Sequence, residues 1–112
     1  MLYRNNPKNG DELSILGFGC MRLPLKEDGS IDEERATNQL RYAIDCGVNY
    51  VDTAWPYHME QSEPFLGRAL ANGYRGKVKL ATKLPSWMVK GREDMDFFLN
   101  SQLEKLNTDH ID

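Results

Sequence analysis

The sequence predicts an α/β fold of about three strand–helix units preceded by an N-terminal β-hairpin. Two observations carry this expectation. Short apolar runs alternate with longer stretches of helical periodicity, and turn residues (Asn9-Gly10, Asp28-Gly29, Gly47, Gly73) punctuate the alternation. Successive strand–helix units favour parallel strands joined by right-handed crossovers, which gather all strand C-termini, and the functional groups they carry, on one edge.

Each element has a local reason. Asn9-Gly10, between Tyr3-Arg4 and Leu13, suits the two central positions of a type I′ turn and predicts the hairpin. Ser14 to Gly19 reads as the first strand, and Leu25 to Ser30 as a polar loop around Asp28-Gly29. Ser30 and Glu33 have capping-box spacing for a first helix, whose apolar face is Ala36, Leu40, Ala43 and Ile44 and whose stop is Gly47 after Cys46. Val48 to Thr53 follows as the second strand. A second helix is predicted with Ser62 as N-cap, Pro64 in its first turn, and Phe65, Leu66, Ala69 and Leu70 buried, ending near Gly73. Val78 to Thr82 is the third strand, and Met95, Phe98, Leu99, Leu103 and Leu106 are the stripe of a third helix.

Composition narrows the class. With 40% hydrophobic and 28% charged residues, the 112-residue chain falls among globular domains rather than disordered or fibrous ones. No apolar run approaches the roughly 18 residues of a membrane span, and the N-terminus lacks a signal-peptide core, so no membrane partner is expected and the cytoplasm is the expected location. Cys20 and Cys46 lie far apart with no CxxC or metal-ligand spacing, which favours free thiols and no metal site. A net charge of −3 with scattered Lys and Arg leaves no electrostatic footprint for nucleic acid.

Asp52, Tyr57 and Lys83 are the candidate catalytic residues. They occur in VDTAWPYHME and VKLATKLP, each reading as a strand that runs into a loop. On consecutive parallel strands, the acid, the phenol and the base converge on one rim. Taken singly, Asp52 reads as a capping or turn residue and Lys83 as a solvated charge; their matching contexts favour a joint role. Trp55 and Trp87 follow the second and third strands, where they either wall a pocket or pack over the rim. His58 reads as a surface-loop histidine, with substrate contact the alternative. The cysteines read as packing residues, because neither has a neighbouring base to supply a thiolate.

These motifs resemble the aldo-keto reductase family. The likeness runs through Tyr3-Arg4, Leu16-Gly17-Phe18-Gly19-Cys20-Met21-Arg22-Leu23-Pro24, then Gly47, Val51-Asp52-Thr53-Ala54, Tyr57, Glu63, Leu66-Gly67 and Thr82-Lys83. The resemblance implies the N-terminal part of a (β/α)8 TIM barrel. Such a barrel takes about 250 residues, and Thr108-Asp109-His110-Ile111-Asp112 resembles the opening of its fourth strand, so the chain is expected to be the N-terminal portion of one barrel domain, interrupted before that strand ends. A fourth active-site residue, a histidine, would follow Asp112; His110 occupies the strand-entry position instead.

The resemblance also implies chemistry. Tyr57 would be the general acid in reducing a carbonyl to an alcohol, and the base in the reverse reaction. A free tyrosine has a pKa of about 10 and needs a nearby cation to become an effective acid at neutral pH. Lys83 would be that cation, held and kept charged by Asp52. The hydride donor would be NADPH or NADH, bound without a GxGxxG fingerprint, with Gly19, Cys20 and Met21 beside the nicotinamide. The partner would be a small carbonyl or alcohol substrate. Tyr57-His58 also looks like a subgroup whose members often carry a C-terminal ferredoxin-like extension with iron-sulfur clusters, although this portion has no cluster motif. The competing readings are another TIM-barrel enzyme acting on a phosphorylated substrate, and a small non-catalytic α/β binding domain.

Overall fold

A computed structural model describes all 112 residues. The chain opens with β1 (Tyr3–Asn5) and β2 (Glu12–Ser14), an antiparallel pair in which Tyr3 faces Ser14 and Asn5 faces Glu12. The hairpin is as expected, but its turn is wider than the Asn9-Gly10 dipeptide predicts. The Asn6 amide donates to Asp11 O at 2.7 Å and the Gly10 amide to Asn6 O at 2.8 Å, and of the two central residues Gly10 alone has positive φ (79°). The Asn6 and Asn9 side chains accept from the amides of Lys8 and Asp11, so local turns replace the tight type I′ geometry.

The predicted first strand, Ser14 to Gly19, is divided. Ser14 belongs to the hairpin, and only β3 (Phe18–Gly19) joins the parallel sheet. The division follows from Asn49, whose Oδ1 accepts from the Ser14 amide at 2.8 Å, whose amide donates to Ser14 Oγ at 3.0 Å, and whose Nδ2 donates to Glu12 O at 2.8 Å. These bonds bolt the hairpin across the lower end of the sheet.

Helix α1 (Glu33–Asp45) is capped by Asp32, whose side chain accepts from the Arg35 amide. Ser30 does not cap it, because its hydroxyl bonds Asp28 Oδ1 at 2.6 Å within the preceding turn. Ala36, Leu40 and Ile44 are buried as predicted, and Gly47 (φ 104°) takes the left-handed position that releases the chain into β4 (Tyr50–Asp52). Then follow α2 (Ser62–Ala69), β5 (Lys79–Ala81) and α3 (Arg92–Lys105). The sheet order β3-β4-β5 is wholly parallel, with Phe18 beside Val51 beside Leu80, and Gly19 beside Asp52 beside Ala81. Past α3, Ile111 packs on the core and the Asp112 amide donates to Leu80 O at 3.0 Å, so the chain passes β5 where a next strand would lie.

Alternation along the strands separates two faces. Val51 and Leu80 are buried beneath the helices in a cluster with Leu40, Ile44, Phe65, Leu66, Leu70 and Leu106. Burying a side chain of this size is worth about 1.5–3 kcal/mol. Asp52 and Ala81 point to the opposite, open face. On α3 only part of the predicted stripe is used: Phe98 and Leu106 are buried, whereas Met95 and Leu99 are exposed. No helix is long and apolar enough to cross a membrane.

Gly67 has a steric reason for being glycine. A Cβ there would fall 2.4 Å from the Lys105 carbonyl oxygen and 3.0 Å from the Leu106 carbonyl carbon, so α2 and α3 meet through bare backbone. Alanine is better than glycine in a helix interior by about 1 kcal/mol, but overpacking against backbone that cannot yield costs about 1–3 kcal/mol. Gly67→Ala should therefore lower the denaturation midpoint; an unchanged or raised midpoint would show that the two helices are not in this contact.

Candidate active site

The three candidate residues converge as expected at the C-terminal edge of the sheet. Asp52 closes β4, Lys83 stands two residues beyond β5, and Tyr57 lies in the loop that leads from β4 to α2. Lys83 Nζ donates to Asp52 Oδ2 at 2.7 Å and to the Thr53 carbonyl at 2.8 Å, and lies 5.0 Å from the centroid of the Tyr57 ring. Two of the ammonium's three protons are thus committed, which leaves one for a further acceptor.

Burial works against the Lys83 ammonium, but hydrogen bonding and charge from Asp52 and Tyr57 outweigh it, and the net effect raises its pKa above that of ordinary lysine. Lys83 is therefore a cation at neutral pH. That suits stabilisation of a neighbouring anion and does not suit a Schiff-base nucleophile, which needs a depressed pKa. The Asp52–Lys83 pair is partly solvent-exposed, so its worth lies in placing a charge more than in stabilising the fold.

Gly19 ends β3 in register with Asp52, on the open face, and open space lies where a Cβ would stand. Met21 is exposed. Cys20 differs: its amide extends the parallel ladder by donating to Asp52 O at 2.9 Å, but its side chain is fully buried in the helix-side core. Burial first, then the Asp52 charge, push its thiol up to about 12, with Lys83 opposing. Of the trio suggested for cofactor contact, Cys20 can therefore present only its backbone. Cys46 is exposed, and both thiols are free.

The loop carrying Tyr57 is unusual. His58, Met59 and Glu60 follow one another in left-handed conformation with φ of 53°, 53° and 68°. For residues with a Cβ this costs roughly 1–2 kcal/mol each, and such strain persists only where surrounding contacts impose it. His58 Nε2 accepts the Leu23 amide at 3.0 Å, and the Gln61 amide donates to His58 O at 3.0 Å. His58 is thus a brace between the loops following β3 and β4. Trp55 is likewise a packing residue: its ring meets Phe98 edge-on at 4.9 Å and lies 3.5 Å beneath Lys105 Nζ, whereas Trp87 is largely exposed.

Sequence reasoning missed the polar residues beneath the site. Ser62, expected to cap α2, instead places its Oγ 2.8 Å from Thr53 Oγ1, and the cap position falls to Gln61 without a side-chain bond. Gln102 bonds Glu63 and the Lys83 carbonyl. The signal was a glutamine on the helical row of Phe98 and Leu106, where an apolar residue would be expected.

Comparison with known proteins agrees with the motifs. The model of the aldo/keto reductase family matches residues 15–112. This chain belongs to the aldo/keto reductase family. Curated relatives include a probable aldo-keto reductase 1 of Glycine max, 31% identical over 111 residues, covering 92% of this chain and 32% of the relative. Another is the aldo-keto reductase YhdN of Bacillus subtilis, 32% identical over 120 residues, covering all of this chain and 36% of the relative. A holo-form aldo-keto reductase from Bacillus halodurans superposes with a TM-score of 0.80 at 30% identity, over 100% of this chain and 38% of that one. One from Klebsiella pneumoniae in complex with NADPH superposes with a TM-score of 0.81 at 25% identity, again over 100% and 38%. The chain thus spans about a third of the length of these curated relatives. Its architecture is the N-terminal part of the family's (β/α)8 barrel.

Proposed function

We propose that this chain is the N-terminal portion of a single barrel domain in a longer protein that reversibly reduces a small carbonyl compound to an alcohol with a nicotinamide cofactor, NADPH or NADH. The observation that carries the proposal is the Lys83 ammonium, fixed between Asp52 Oδ2 and the Thr53 carbonyl beside the Tyr57 ring. In this reading Tyr57 gives its hydroxyl proton to the oxygen of the reacting carbonyl. Lys83 stabilises the phenolate left behind, and Asp52 holds Lys83 in place. The cofactor would supply hydride from the open face, where the bare Gly19 and the neighbouring Met21 leave room for a flat ring to approach the strand ends. The NADPH complex of the Klebsiella pneumoniae relative supports that choice of donor.

The raised pKa of Lys83 speaks against a Schiff-base lyase acting on a phosphorylated substrate. The open sheet face and the exposed Met95 and Leu99 speak against a self-sufficient binding domain. The full-length protein is expected to quench its fluorescence on titration with one nicotinamide form and then to oxidise that cofactor when an aldehyde is added. The 112-residue chain alone is expected to do neither. A full-length protein that binds neither cofactor form, or an isolated chain that catalyses the reduction, would contradict the proposal.

A further inference from the structure

Beneath the rim lies a set of buried polar side chains that the proton transfer does not use. Thr53, Ser62 and Glu63 are 0% exposed and Gln102 is 3% exposed. Burying such groups is costly unless they are paired, and here they bond one another and Thr82, with one bond, from Gln102, reaching Lys83 itself. Ser62 Oγ lies 2.8 Å from Thr53 Oγ1, and it is the Thr53 carbonyl that accepts the ammonium. Glu63 Oε2 accepts from Thr82 Oγ1 at 2.8 Å and from Gln102 Nε2 at 3.0 Å. Gln102 Nε2 donates in turn to the Lys83 backbone carbonyl at 2.9 Å. Adjacent residues on the first turn of α2 therefore reach both ends of the lysine: Ser62 the residue that receives its ammonium, and Glu63, through Thr82 and Gln102, the backbone from which its side chain leaves.

We propose that Ser62, Glu63 and Gln102 form a buried positioning clamp that sets the Lys83 ammonium against Tyr57, a role that rests on the catalytic reading above. A helix that needed only to cover the sheet would carry an apolar residue at position 102, as it does at Phe98 and Leu106. The glutamine instead gives a hydrogen-bond donor to the Lys83 carbonyl, which lies two residues past the end of β5. Glu63 needs only one acceptor oxygen for this work, and its Oε1 has no partner. Burial, the largest influence, raises its pKa, opposed by the Thr82 and Gln102 bonds and by Lys105, and reinforced by Glu60. A neutral side chain of the same shape therefore fits the position. The titratable groups facing the clamp and its lysine are Asp52 and Cys20 from the strand ends, Tyr57 and Glu60 from the loop, and Lys105 from α3.

The test uses the full-length protein with Gln102→Met, Glu63→Leu and Glu63→Gln, reading kcat, cofactor affinity, the pH profile of kcat/KM, and proton exchange of the Lys83 ammonium by nitrogen-15 NMR. A misplacement of about 1 Å can cost about 10²-fold, so a smaller retraction of the ammonium is expected to cost about tenfold in kcat for Gln102→Met and Glu63→Leu with cofactor affinity unchanged. The alkaline limb of the profile should move up by about half a pH unit or more, because a retracted cation stabilises the phenolate less. Lys83 proton exchange should accelerate in both, and Glu63→Gln should recover most of what Glu63→Leu loses. Unchanged kcat and pH profile in Gln102→Met, or a loss in Glu63→Gln as large as in Glu63→Leu, would overturn the clamp. Should Glu63→Leu fail to fold, Gln102→Met decides alone. Should the unsubstituted protein reduce no carbonyl, the catalytic reading falls while the ammonium exchange still decides the clamp: acceleration supports it and no change overturns it.

Discussion

Tyr57→Phe in the full-length protein is expected to lower kcat for carbonyl reduction by roughly 10² to 10⁴, the usual worth of a positioned general acid, while leaving cofactor affinity nearly intact. Phenylalanine keeps the ring, and with it the surface that stands 5.0 Å from Lys83 Nζ, but lacks the proton that the proposed reaction sends to the carbonyl oxygen. The loss should therefore fall on kcat and kcat/KM together, the mark of an interaction made only in the transition state. Steady-state kinetics with a cofactor titration measure both parts. Near wild-type turnover would mean that another group donates the proton.

Lys83→Met should produce a loss of the same order by a separate route. Methionine fills much of the volume of the lysine stem but brings no charge, so the Asp52 carboxylate and the Thr53 carbonyl lose their shared donor and the phenol loses its cation. In the proposed reaction Tyr57 and Lys83 serve one proton transfer, so Tyr57→Phe combined with Lys83→Met should cost far less than the product of the two single losses. Losses that simply multiply would show that the two residues act in different steps. The pH dependence of stability has a definite sign. A lysine whose folded pKa is raised contributes stability that is fully present below the unfolded value, about 10.4, and is lost as pH rises through the folded one. The stability difference between wild type and Lys83→Met should accordingly be level through neutrality and shrink only in strongly alkaline solution.

What was legible in the sequence, and what was not, follows the range of the forces involved. The three parallel strands and their helices were legible because periodicity and glycine stops act locally, as at Gly47. Asp52, Tyr57 and Lys83 converge because parallel topology places all strand ends on one edge, a rule that needs no side-chain detail. The errors arose where a hydroxyl or amide had a choice of partners. Ser30 and Ser62 both have N-cap chemistry, yet Ser30 turns to Asp28 and Ser62 to Thr53. Ser14 continues an apolar run, yet Asn49, distant in sequence, draws it into the hairpin. Cys20 packs in the core, as its reading as a packing residue expects, because strand alternation turns its side chain away from the open face. Gln102 interrupts the apolar row of Phe98 and Leu106, but its partner, the Lys83 carbonyl, lies across a tertiary contact between α3 and the end of β5 that the local pattern does not name.

The most direct measurement of the central claim follows deuterium from a nicotinamide cofactor, labelled at its transferable position, into the alcohol made by the full-length protein and by Tyr57→Phe. The site described here predicts deuterium on the former carbonyl carbon of the product, formed about 10² times or more slowly in the variant at equal cofactor occupancy. An alcohol without deuterium, or equal rates in the two proteins, would contradict it.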